Sequence, residues 1–185
     1  MKRIAVALLV GVVALSAAVG VQAYASKGKH HVRTNNLSGY NETPAINTLG
    51  TGTFSAKIDD KAQTISYTLT YSGLSSQITQ SHIHFGNRFS SQGIALFLCT
   101  NLGNGPAGTP ACAGTTSGTV SGTLHPADVR PIPNQGLAAG DWDSIVRAIR
   151  AGAAYANVHT ATWPAGEIRA QLNGNLGHEP ENGDK

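Results

Sequence analysis

Charge and sulfur are both scarce in this chain. Only 12% of its residues are Asp, Glu, Lys or Arg, and it holds two cysteines and one methionine. The 13 basic residues barely outnumber the 10 acidic ones, so there is no basic stripe of the kind that grips a phosphate backbone, and nucleic acid is not an expected partner. No Gly-x-Ser-x-Gly element, paired acid cluster or phosphate loop occurs, which removes the common routes to hydrolysis and phosphoryl transfer. Beyond the first two dozen residues no apolar run is long enough to cross a bilayer.

The N-terminus is the exception. Lys2 and Arg3 precede an almost wholly apolar stretch from Ile4 to Ala18, and Ala23-Tyr24-Ala25 supplies a small-x-small cleavage pattern. Residues 1–25 therefore read as a secretory signal peptide, the alternative being an uncleaved anchor. The exported chain of about 160 residues suffices for one core and is expected to be secreted or periplasmic, with no membrane span once the signal is removed. Losing Lys2 and Arg3 takes the basic count from 13 to 11 against 10 acids, so the net charge falls from +3 to +1. Residues 26–36, beginning "SKGKHHV", read as a flexible basic leader, and 174–185 as a loose polar tail. In an oxidising compartment Cys99 and Cys112 are expected to form a disulfide. The segment between them, "TNLGNGPAGTPA", cannot order itself by burial, and a clip of this length contributes roughly 3 kcal/mol.

The rest reads as all-β. In "TISYTLTY" Ile65, Tyr67, Leu69 and Tyr71 alternate with Thr and Ser, and "TFSAKI" does the same with Phe54, Ala56 and Ile58. The break at Asp59-Asp60-Lys61 points to a hairpin. Further strands are predicted at 34–40, 78–85, 93–98, 116–124, 153–159 and 166–173. Short strands with turns every eight to twelve residues predict an antiparallel Greek-key β-sandwich, of the superoxide-dismutase or immunoglobulin-like kind. One segment differs: "GDWDSIVRAIRAG" spaces Trp142, Ile145, Val146 and Ile149 helically, so a short amphipathic helix is predicted near 141–151, capped by Asp141 or Asp143 and ended by Gly152.

Two histidines sit one residue apart in "TQSHIHFGNRF". Alternation puts Ile83 and Phe85 towards the core and His82 and His84 on the opposite face. In "AAYANVHT" the same rule sets Ala154, Ala156 and Val158 inward, and Tyr155, Asn157 and His159 outward. A short connection, "ATWPA", leads to "GEIRAQL", where Glu167, Arg169 and Gln171 face out. If these strands pair as a hairpin, His159 lies near Glu167 and Arg169. Three outward imidazoles from two strands make a candidate site for copper or zinc, with an open position. Glu167 would orient or supply a ligand, and Arg169 would attract an anion. The other reading is of ordinary surface histidines bonded to loop backbone.

The segments "LSGYNETPAINTLGTGTFSAKI", "TISYTLTYSGLSSQITQSHIHFG", "SGTVSGTL" and "YANVHTATWPAGEIRAQL" together resemble the chordin-type, or CHRD, domain over about Leu37 to Leu172, giving a domain expected at 37–173. The block Asn-Val-His-Thr followed by Pro-x-Gly-Glu-Ile-Arg is its most specific part. The resemblance is to the exported bacterial form, whose role the family does not define. A second, local resemblance is to copper/zinc superoxide dismutase: "HIHFG" and "NVHT…GEIR" echo its copper ligands and downstream arginine at His82, His84, His159 and Arg169. The bridging histidine, the zinc-loop histidines and the zinc-binding aspartate have no counterpart here. The readings therefore rank in order: an exported non-catalytic β-module that binds an extracellular ligand or protein, or serves structurally; a copper- or zinc-binding protein; and, last, superoxide-type redox chemistry.

Overall fold

A computed structural model describes residues 29–34 and 36–173 of the 185. The segments read as signal peptide and polar tail lie outside the described residues. The domain is all-β with one α-helix. Its strands are β1 (Lys29–Arg33), β2 (Leu37–Ser38), β3 (Thr51–Asp59), β4 (Thr64–Ser72), β5 (Ile78–Phe85), β6 (Ile94–Thr100), β7 (Gly118–Leu124), β8 (Ala154–Thr160) and β9 (Ile168–Gln171). They form one antiparallel sheet in the order β6-β5-β8-β9-β2-β3-β4-β7, with β1 added on β3. The end strands β6 and β7 approach each other, so the sheet nearly closes into a barrel. The two layers expected of a sandwich are parts of this single sheet.

Alternation built these strands. Along β4 every second residue is buried, Ile65, Tyr67, Leu69 and Tyr71 facing in while Ser66, Thr68 and Thr70 face solvent. The exposed hydroxyls pair across to β7, as in Thr68 with Ser121 at 3.0 Å and Thr70 with Thr119 at 3.1 Å. The predicted helix is α1 (Trp142–Arg150). Asp141 caps it by accepting from the Ser144 N–H at 3.1 Å. Trp142, Ile145, Val146 and Ile149 are all buried in the core.

Two features depart from the sequence expectations. The stretch 26–36, expected to be a flexible leader, contains a strand at Lys29–Arg33, because Val32 is buried opposite Ala56. The strand expected over 34–40 shrinks to Leu37–Ser38, since the Ser38 side chain accepts from the Tyr40 N–H and turns the chain into a 3-10 turn at Gly39–Asn41. Cys99 and Cys112 are joined, as expected, with Cα atoms 4.9 Å apart. Arg33, the last residue of β1, and Asn173, just past β9, face each other across an antiparallel bridge.

Candidate metal centre

Three adjacent strands build the site on the sheet face opposite the core. Between β5 and β8 the register sets Gln80 opposite His159, His82 opposite Asn157 and His84 opposite Tyr155. Between β8 and β9 it sets Asn157 opposite Arg169 and Tyr155 opposite Gln171. Because side chains alternate with period two, these residues share one face, and Ile83, Ala156 and Val158 take the other. Phe97 of β6 joins the patch with its ring 4.5 Å from that of His82, edge to face.

The histidines do not face solvent. His82 is fully buried, His84 is 6% exposed and His159 5%. Alternation assigned them the correct side, but loops cover that side. The segment after β5 folds over His84, and the β8–β9 turn folds over His159. Every residue of β8 is buried in consequence.

The three imidazoles converge. One ring nitrogen from each of His82, His84 and His159 lies within 4.8 Å of the others. His82 Nδ1 is 3.1 Å from His159 Nε2. Backbone carbonyls fix two of the rings: Nδ1 of His84 lies 2.7 Å from the Gln92 oxygen and Nδ1 of His159 lies 3.0 Å from the Pro164 oxygen. A carbonyl only accepts, so both rings carry their proton on Nδ1 and leave the Nε2 lone pair for the site. Asn157 Oδ1 is placed 3.0 Å from His159 Nε2; with the His159 proton on Nδ1, the amide must turn so that its NH2 group faces the ring. The Nε2 atoms of His82 and His84 are buried without a hydrogen-bond partner, a costly state for polar atoms.

The surroundings keep these rings neutral. Burial above all, and then the neighbouring His159 and His84, pulls His82 down to about 2. Burial likewise lowers His84 to about 4, against the opposing pull of its bond to Gln92. Burial lowers His159 as well. A metal ion requires neutral imidazole, and this pocket supplies three without releasing protons. Metal–nitrogen bonds are about 2.0–2.1 Å, which sets two ligands of a tetrahedral ion roughly 3.4 Å apart, so the widest pair must draw in by about an ångström or somewhat more to share one ion. The donor set and the two orphaned nitrogens therefore fit a cation.

The other predicted residues lie elsewhere. Glu167 is fully buried, but its carboxylate accepts from the Thr48 hydroxyl at 2.6 Å, the Ser75 N–H at 2.8 Å, the Ser75 hydroxyl at 2.9 Å and the Thr160 hydroxyl at 2.7 Å. Burial raises its pKa, and these bonds outweigh that and lower it. Its place in the turn before β9 commits it to that network, and the histidine orienter expected of it is supplied instead by Pro164. Arg169 is buried too, its guanidinium carbon 3.5 Å above the Tyr155 ring. The Tyr155 ring also stacks on His84, centroids 4.7 Å apart and planes 2° from parallel. With His84 on β5 and Arg169 on β9, flanking β8, the tyrosine ring stands between the arginine and the imidazole.

The chain matches the CHRD domain family model over residues 33–172. The chain belongs to the CHRD domain family. No curated protein and no solved structure matches it. The CHRD match spans every strand of the site, from β5 through β8 to β9.

Sequence reasoning did not nominate Tyr155, Asn157 or Glu42 of the CHRD domain. The first two share the parity of His159, which was the available signal. Glu42 carries none, since nothing in "NETP" marks its carboxyl as buried. It is 9% exposed, and its Oε1 has no partner. Burial pushes it up to about 7, against the Arg169 charge and the Thr43 N–H. Gly166 brings the backbone close by: at φ +127°, a Cβ there would lie 2.6 Å from Glu42 Oε1 and 2.9 Å from Asn157 Nδ2.

Proposed function

We propose that this CHRD-domain chain is an exported, non-catalytic β-module that holds a copper or zinc ion on His82, His84 and His159. The observation that carries this reading is the convergence of three buried, neutral imidazoles, one nitrogen from each within 4.8 Å. Two of the rings are locked by carbonyls in the tautomer that frees Nε2. An all-imidazole set suits copper and zinc, and divalent copper outranks zinc at a given nitrogen site. Export is supported by the apolar, small-residue N-terminus and by the disulfide, which persists in oxidising compartments. Among the described residues no helix is long and apolar enough to cross a membrane.

The test is calorimetric titration of the chelator-stripped protein with Cu(II), Cu(I) and Zn(II). Wild type should bind one ion, and His84→Ala should lose more than about a hundredfold in affinity, beyond the cost of removing an outer-shell partner. Equal, weak binding by both proteins would leave the imidazoles as a hydrogen-bonded structural cluster.

A further inference from the structure

Arg169 is the largest fully buried side chain of the domain, at 1% exposure. Its hydrogen-bond partners are neutral. Nη2 donates to the Asn87 carbonyl at 2.8 Å and to the Arg88 carbonyl at 3.2 Å, and Nη1 donates to the Thr43 hydroxyl at 3.5 Å. Among the described residues, no carboxylate oxygen lies within the 4.0 Å of an ion pair with it. A buried cation without a counter-charge is among the costlier arrangements a fold can hold. A second positive charge makes it worse. Burial first, and the Arg88 charge as well, pull the Arg169 pKa down, with Tyr155 and Glu42 opposing. Glu42 is the carboxyl placed to compensate, but burial raises it to about 7, so it is largely protonated below about pH 6.

Beside this guanidinium lies a cavity of about 140 Å³. It is lined by Asn41, Arg88, Arg169, Ala170, Gln171 and Asn173. Two guanidiniums and three amides border it, with no carboxylate. Gln171 adds a further constraint. Its Nε2 donates to the carbonyls of Gly86 and Gly152 at 2.8 and 2.7 Å, and its buried Oε1 has no partner. The cavity thus offers cationic donors for oxygen acceptors, and Gln171 on its wall holds a buried carbonyl that still requires a donor. A small anion carrying both oxygen acceptors and one O–H group satisfies all of them.

We propose that this cavity is a binding site for a small protonated oxyanion, of which hydrogenphosphate is the model, held between Arg88 and Arg169 with its hydroxyl on Gln171. The anion supplies the counter-charge that buried Arg169 lacks. The site is separate from the imidazole cluster, because Tyr155 stands between them, and it does not depend on a metal being bound. Its volume suits a free inorganic anion.

The test is calorimetry on the full exported chain, stripped of metal, with phosphate, sulfate and chloride at pH 6 and matched ionic strength. Phosphate should bind saturably. Sulfate, which carries no proton at that pH, should bind at least about tenfold more weakly, the scale of one lost hydrogen bond to a buried group. Arg88→Gln changes an exposed side chain and should lower phosphate affinity at least about tenfold without lowering the urea midpoint in chloride, since it removes a charge that repels Arg169. Absence of saturable phosphate binding, or equal affinity in Arg88→Gln, would overturn the site. Sulfate binding as tightly as phosphate would overturn the role given to Gln171.

Discussion

Replacing Glu42 by Gln should stabilise the domain above neutral pH and do much less for it in mild acid. The carboxyl is buried with an unpartnered oxygen, and its pKa rises from 4.5 to about 7 on folding. A raised carboxyl pKa means that the native state binds the proton more tightly than the unfolded chain. The stability this contributes is complete below about 4.5 and is lost as pH climbs through about 7. Each unit is worth about 1.4 kcal/mol, so the whole effect is about 3 kcal/mol. At pH 5 the unfolded carboxyl is already partly ionised, so about 2–3 kcal/mol separates pH 5 from pH 8.5. Gln keeps the shape and never ionises. Urea unfolding of both proteins at the two pH values should therefore show the stability advantage of Glu42→Gln growing by about 2–3 kcal/mol between pH 5 and 8.5. Titration of the histidines cancels in this comparison, because both proteins carry them. An advantage that is flat with pH, or larger at pH 5, would refute the placement of this side chain.

Two further substitutions probe the frame around the imidazoles. Gly166→Ala places a methyl group 2.6 Å from Glu42 Oε1 on backbone at φ +127°, and should cost about 2–4 kcal/mol in urea unfolding from strain and overlap together. Glu167→Gln breaks a buried carboxylate network of four hydrogen bonds and should cost about 2–4 kcal/mol, while metal affinity by calorimetry stays within about threefold of wild type because Pro164, not Glu167, fixes His159.

Period-two alternation made much of this molecule legible. It set Ile65 to Tyr71 inward, placed His82, His84 and His159 on one face, and joined β8 to β9 by a short turn. Helical spacing located Trp142–Arg150, and Asp141 was one of two caps foreseen. Alternation reports which side a residue takes and is silent on what covers that side. The cover over the histidines comes from the loops that carry Gln92 and Pro164, which have no periodicity and lie in separate parts of the chain. The same limit explains Glu167: its parity matches that of Arg169, but in the turn its carboxylate is taken by Thr48 and Ser75, residues more than ninety positions away that no local pattern connects to it.

The antiparallel bridge between Arg33 and Asn173 has a topological consequence. A polypeptide that enters and leaves this barrel at adjoining points occupies little more of its host's contour than the width of two strands. Such a unit can be spliced into a surface loop of an unrelated protein, or strung in tandem like beads, without prying either neighbour open. Fusing Lys29 to Asn173 through a Gly-Ser bridge long enough to run back along β1, and reopening the ring at an exposed hairpin, should then give circular permutants that still fold.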